Sequence, residues 1–298
     1  MNTNDLRIFE AVALHSSFTR AAEAMFTVQS NVTARIRSLE EEFGTSLFER
    51  NAKKVALTPA GEVLMQYAKE ITHLLDEAKR EVENIDVLTG SLKIGCIETT
   101  MALRVPTILH DFGAAYPHVE LEFKSAMRPE LVQDVLDYKL DAAFVSGPIS
   151  ISGLTQEIIH EEQLVILAHR KASSLSSELS RHAIPKIVVF DQGCVFRERL
   201  ESLLSAKGIV QYKPIVVNSI EGIINFVEAG LGISILPEQI VSSYYAAREI
   251  KTFPLSKSLG TMTTVLISRS NRRPSKLMQV FIDMYKNQSK HSNVEQSI

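Results

Sequence analysis

The feature that most constrains this chain is a stretch free of helix breakers that runs from Thr58-Pro59-Ala60-Gly61-Glu62 to Thr89-Gly90. Its opening supplies a capping Thr, Pro at the first helical position and an acid in the first turn, which together start a helix. Leu64, Tyr67, Ile71, Leu74 and Ala78 then step by three, four, three and four. Val82 and Ile85 continue the stripe with one irregular step, while Glu70, Asp76, Lys79, Arg80, Glu81 and Glu83 occupy the other faces. A narrow apolar seam on a charged helix predicts a coiled-coil homodimer along 59–88. The alternative is a helix laid on its own domain.

Before that helix, three shorter ones are expected. Leu6, Phe9, Val12 and Ala13 recur at helical spacing up to His15-Ser16-Ser17. Ser17 is placed to cap a second helix with Phe18, Ala21, Ala22 and Met25 inward. Thr27 is placed to cap a third, along Val32, Ile36, Leu39 and Phe43, and Gly44 to end it. Arg50-Asn51-Ala52-Lys53-Lys54-Val55-Ala56-Leu57 alternates like a short basic hairpin. Three helices and a basic hairpin describe an all-α winged helix-turn-helix over 1–58, with the helix-turn-helix at about 18–37, followed by the linker dimerisation helix over 59–90.

From Ser91 the periodicity changes. Residues 92–97, 119–123 and 141–145 read as strands, with helices around 101–115 and 129–138. The theme repeats with strands at 187–190, 214–217 and 233–236 and helices near 195–207 and 219–230. Alternation of this kind implies βαβ units and a parallel sheet. The expected α/β domain over 91–298 has two lobes, 91–162 plus 266–288 and 163–265. Residues 262–268 and a helix from 274 to about 287 cross back to the first lobe, and the polar tail after Ser289 is expected to be unstructured.

Several function classes fall away on composition and motif. No run approaches the ~18 apolar residues of a membrane span, and Asp5, Arg7 and Glu10 stand where a signal peptide needs its apolar region. A cytoplasmic protein without membrane contact is expected, which also sets aside a secreted binding protein. Two cysteines and scattered histidines lack metal-ligand spacing, so no metal or cofactor is expected. There is no phosphate loop and no Gly-x-Ser-x-Gly elbow, and His160-Glu161-Glu162 lacks the second histidine of a metalloprotease. An enzyme is not expected.

Over the first sixty residues Leu6, Phe9, Ser17-Phe18-Thr19, Ala21-Ala22, Gln29-Ser30, Val32, Ile36, Leu39-Glu40, Gly44, Leu47-Phe48, Arg50, Leu57-Thr58 and Gly61 stand at spacings that resemble the LysR-type transcriptional regulators. The resemblance is weaker beyond, where Gly230-Leu231-Gly232-Ile233-Ser234-Ile235-Leu236-Pro237 is similar to the family's glycine-strand-proline segment. It implies a two-lobed effector domain like periplasmic binding proteins, and a homotetramer that binds double-stranded promoter DNA and answers to a small-molecule effector. Met25 stands in place of the usual Leu, and Ala34-Arg35 in place of a polar or basic residue followed by Gln.

At about 100° per residue, the third helix turns Ser30, Ala34, Arg37 and Glu41 away from its apolar side, with Asn31, Thr33 and Ser38 flanking. The N-terminal half of a recognition helix enters the major groove, so Gln29, Ser30, Asn31, Thr33 and Arg37 are the expected base and phosphate contacts. The alternative is that they are solvated polar residues. Arg35 is expected at a phosphate or at Glu40, and Ser17 and Thr19 join the DNA-contact set. Residues 1–61 carry seven basic and seven acidic side chains, yet Arg50, Lys53 and Lys54 of the wing have only Glu49 beside them. Such a dipolar domain neutralises phosphates along one edge, and dimerisation supplies affinity by presenting two reading heads.

In the lobes, ligands are expected at the carboxyl ends of strands and at helix N-termini. Thr99, Thr100, Met127, Ser146, Gly147, Cys194, Phe196, Asn218 and Ser219 are the candidate effector contacts. Thr99 and Thr100 read equally well as N-caps. Glu98 either faces away or meets a cationic group of the ligand. Two further readings stay open, a redox sensor using Cys96 and Cys194 and an architectural DNA-binding protein that senses nothing.

Overall fold

The structure, a computed structural model, describes residues 1–51, 54–83, 87–270 and 274–295. Within these, side chains at 50, 51, 54, 80, 81, 83 and 286–295 are not described. The chain divides into two compact units, Met1–Val87 and Leu88–Ile298.

The first unit holds α1 (Thr3–His15), α2 (Phe18–Ala24), α3 (Gln29–Phe43), the strands β1 (Phe48–Asn51) and β2 (Lys54–Leu57), and α4 (Pro59–Glu83). Asn2 and Asp5 form a capping box on α1, Ser17 caps α2, and Thr58 Oγ1 accepts from the Gly61 N–H at the start of α4. Gly44 ends α3 in the left-handed conformation, as expected. The expected cap of α3 is corrected: the N-cap is Val28, with no side-chain cap bond, while Thr27 Oγ1 accepts from Asn31 Nδ2 at 2.9 Å. The β1–β2 pair is the expected hairpin, antiparallel with Phe48 opposite Leu57. Leu6, Phe9, Val12, Val32, Ile36, Leu39, Leu47 and Phe48 form the core, and Phe9 and Phe18 both turn rings onto Phe48.

Among the described residues of the expected α4 stripe only Leu64 is buried and Leu74 half-buried, and the face packed on the unit runs instead through Ala68 and Thr72. Leu64, Ala68 and Thr72 are buried within the unit, and Thr72 Oγ1 donates to Glu10 Oε1 at 2.8 Å. Arg7 of α1 pairs with Asp76 one turn further along. Tyr67, Ile71 and Val82 stay exposed, so the seam is only partly covered by its own unit. Ile85 lies outside the described residues, and Gly90 opens the next strand at φ 115.

The second unit runs β3 (Gly90–Cys96), α5 (Glu98–Leu103), α6 (Val105–Ala115), β4 (Val119–Ser125), α7 (Arg128–Leu136), β5 (Ala142–Gly147), β6 (Leu154–His169) and α8 (Leu175–Leu179). It continues with β7 (Lys186–Val189), α9 (Val195–Ala206), β8 (Lys213–Val216), α10 (Ile220–Glu228), β9 (Ser234–Pro237), α11 (Glu238–Tyr244), β10 (Ile250–Pro254), α12 (Lys257–Gly260), β11 (Thr261–Arg269) and α13 (Lys276–Glu295).

Three expectations change here. The sheet is mixed: β3 runs parallel to β4 and β5, but β11 is antiparallel to both β5 and β6, and β9 and β10 are antiparallel to β6. The helix expected around 101–115 is two helices that part at Arg104, where Pro106 begins a new first turn. The tail is helical through Glu295.

The sixteen-residue β6 is shared by both lobes. Its first part lies along β11, and its last part holds β9 and β10. One core gathers around Ile166, Ile187, Leu200, Ile224 and Leu236, and others around Ile94, Phe112, Phe144 and Phe281 and around Leu131, Val145 and Val265. Apolar burial of this kind is what holds each lobe together.

Candidate DNA interface and interlobe cleft

The third helix is anchored by Val32, Ile36 and Leu39, which are all buried. That orientation leaves Gln29, Ser30, Ala34, Arg35, Arg37 and Ser38 exposed and Asn31 and Thr33 half-buried. The exposed end is held in place by neighbours. Thr19 Oγ1 donates to Gln29 Oε1 at 3.2 Å, and Asn31 is tied to Thr27. Ser17 spends its hydroxyl on the α2 cap, accepting from the Arg20 N–H. Arg37 Nε lies 2.9 Å from Glu41 Oε1 on the same exposed face.

Arg35 differs from expectation. Its guanidinium reaches Asp5 Oδ1 at 3.2 Å, and Glu40 Oε1 instead accepts the N–H groups of Leu47 and Phe48. Asp5 is nearly buried and already closes the α1 capping box, so it draws a cation within reach. Arg50 and Lys54 lie on the two strands of the wing with side chains outside the described set, and Lys53 is outside the described residues.

In the second unit polar groups of the two lobes meet at several described residues. Glu98 Oε1 accepts the Ile220 N–H at 3.0 Å, Tyr244 Oη donates to the Ala102 carbonyl at 2.9 Å, and Arg104 donates to Gln239 Oε1 at 3.0 Å. Arg128 and Glu198 add an ion pair at 3.8 Å. Glu98 therefore does not face away: it docks on the N-terminus of α10, whose partial positive charge suits a carboxylate. Burial nevertheless pushes its pKa upward, against the downward pull of the Ile220 hydrogen bond. Sequence reading missed this link, because α10 is more than a hundred residues away.

The candidate effector residues divide. Met127 is the N-cap of α7 and packs with Ile97, Ala102 and Leu103 against the second lobe's core. Cys194 caps α9 at the same core, and Ser219 caps α10 by accepting from the Gly222 N–H. Asn218 is exposed and accepts the Asp191 N–H. Gly147 is half-buried at the end of β5.

Others are deeper than expected. Phe196 is buried against Phe190 in the core, because α9 needs an apolar anchor at its first turn. Thr99 and Thr100 are not caps, since the N-cap of α5 is Ile97, and their hydroxyls are buried without a hydrogen-bond partner. Ser146 is buried as well.

The two thiols are poorly disposed to redox chemistry. Burial pushes Cys96 up to about 12 and also raises Cys194, despite the backbone N–H groups of Arg197 and Phe196 that favour its thiolate. A reactive cysteine needs the opposite. Among the described residues no cluster of three His, Cys, Asp or Glu side chains is placed to hold a metal, and no helix is long and apolar enough to cross a membrane.

Comparison with known proteins agrees with both halves of this geometry. Residues 3–62 match the family model described as bacterial regulatory helix-turn-helix protein, lysR family, and residues 86–290 match the LysR substrate binding domain. The HTH-type transcriptional regulator CzcR of Bacillus subtilis is 36% identical over 267 residues, covering 90% of this chain and 91% of its own. YusT of the same organism, an uncharacterized HTH-type transcriptional regulator, is 35% identical over 285 residues, covering 96% and 95%.

Among solved structures, a full-length OxyR variant from Pseudomonas aeruginosa superposes with a TM-score of 0.71 at 22% identity, covering 97% of this chain and 95% of that one. CbnR complexed with its target DNA gives 0.65 at 20% identity, covering 97% and 100%. These two share the fold. The substrate-binding match also counts against a purely architectural role. The chain belongs to the LysR family: it is a DNA-binding transcriptional regulator, not an enzyme, and carries the family's substrate-binding domain as its second unit.

Proposed function

We propose that this regulator reads promoter DNA with the N-terminal half of α3 and is controlled by a small molecule bound between the two lobes. In this reading Gln29, Ser30, Asn31, Thr33 and Arg37 make base and phosphate contacts, with Ser17, Thr19, Arg50, Lys53 and Lys54 along the backbone. Arg35 is reassigned to holding Asp5. The observation that carries the reading is the exposed polar end of α3, pinned by Thr19 and Thr27 above a buried apolar face. Gln29 offers bidentate pairing to adenine and Thr33 a methyl to thymine.

The exposed Tyr67, Ile71 and Val82 support a homodimer along α4. Pairing of dimers to a tetramer and action in the cytoplasm complete the proposal. The domain division is 1–58, 59–90 and 91–298. The effector would contact the cleft-side groups, Met127, Cys194, Asn218 and Ser219 foremost.

Substituting Gln29 and Thr33 together by Ala tests the DNA half of the proposal. Specific promoter binding should weaken by about 1–3 kcal/mol for each base that is no longer read, with unchanged melting. Retained specificity would sink the assignment of these two side chains to bases.

A further inference from the structure

The turn between α2 and α3 breaks two local rules at once. Phe26 adopts a left-handed backbone, φ 51, which suits Gly or Asn and not an aromatic residue. Its side chain is 99% exposed, so no packing within its own unit offsets that conformation. Two residues on, the N-cap of α3 is Val28, 65% exposed and with no side-chain cap bond. A hydroxyl or short amide is strongly preferred there, and α1, α2 and α4 of the same unit each have one. Thr27 stands next door with a suitable hydroxyl and is used elsewhere, by Asn31.

Local rules broken without a packing return mark positions kept for function. Val28 directly precedes Gln29 and Phe26 stands two residues before it, at the end of α3 proposed to enter the major groove. Both exposed side chains lie beside the proposed DNA-contacting end of α3, so the duplex is the partner argued for them. We infer that Phe26 and Val28 form an apolar probe that packs against thymine C5-methyl groups at the edge of the half-site. The major groove displays that methyl, and apolar side chains are its natural readers. The inference rests on the N-terminal half of α3 facing DNA.

The test uses the full chain and a duplex selected by it from random DNA, with deoxyuridine replacing each thymine in turn so that only the methyl is removed. The wild-type chain should lose about fourfold in affinity per methyl it buries. Val28→Ser and Phe26→Asn supply what the backbone prefers, so each should melt at or above the wild type. Each should also be insensitive to deoxyuridine at the position its own side chain reads. Thr33→Ser serves as the control, erasing sensitivity at a different thymine.

Lower melting of both variants, or wild-type sensitivity left unchanged in them, would overturn the inference. So would loss of dimer or tetramer mass in Phe26→Asn with no effect of deoxyuridine, which would make the patch a protein contact. If Gln29→Ala with Thr33→Ala keeps specificity, the underlying reading of α3 fails. If that variant loses specificity while deoxyuridine has no effect through Phe26 or Val28, only the apolar probe fails.

Discussion

Glu98 shows how one side chain joins sequence, stability and ligand response. It is the acid of lobe one that reaches α10 of lobe two, and burial holds its pKa above the ordinary carboxylate range. An acid whose folded-state pKa is raised is favoured by folding when protonated, so its contribution is present at low pH and lost as pH rises through the raised value. Glu98→Gln keeps an oxygen for the Ile220 N–H and removes the buried charge. The variant's second unit should therefore melt higher than wild type at pH 8, with the difference closing on acidification to about pH 4.5. Scanning calorimetry at both pH values checks this, and a difference that grows toward low pH would contradict it. Sequence reading found Glu98 in its strand-end position but not its partner, because long-range hydrogen bonds leave no local pattern. The depth of Thr99, Thr100 and Phe196 was hidden for the same reason.

At the scale of elements, α4 packs on its own unit through Leu64, Ala68 and Thr72 and leaves Tyr67, Ile71 and Val82 exposed beside them. Gly61, in its first turn, lies so close to the rest of the first unit that a Cβ there would stand 2.2 Å from the Leu47 carbonyl oxygen. That oxygen belongs to backbone and cannot swing aside. Gly61→Ala should cost about 1–3 kcal/mol or more, lowering the first unit's melting temperature measurably in thermal denaturation. Further along, Tyr67→Glu with Ile71→Glu changes side chains that are exposed in the single chain. Light scattering should show loss of the dimer, with little change in the fold by circular dichroism, whereas an unchanged mass would remove α4 as the dimer seam.

The helix α10 was legible in sequence because a single buried face sets its pattern, β5 because it is a continuous apolar run buried on both faces, and α4 because of its start signals and breaker-free length. By contrast β6 was not. The part that pairs with β11 carries Gln156, Glu157, Glu161 and Glu162, and its alternation is broken where the register against β11 shifts between Thr264 and Val265. The antiparallel pair it makes with β11 is what turned an expected parallel sheet into a mixed one.

At the scale of the whole molecule, a DNA-binding unit is joined in one chain to a two-lobed sensing unit. Interlobe links such as these define an arrangement of the lobes that a ligand bound between them would have to favour or replace, and a ligand shifts such an equilibrium only by its differential affinity. A specific effector at a hundred times its Kd should stabilise the second unit by about 2.7 kcal/mol, visible as a melting shift in a metabolite panel. The most direct test of sequence-specific reading by α3 is genome-wide binding by the purified full-length chain, read as sequenced DNA fragments. Discrete sites built from inverted half-sites are expected, and they should disappear in the chain carrying Gln29→Ala and Thr33→Ala. Diffuse, salt-sensitive binding without recurrent sites would contradict it.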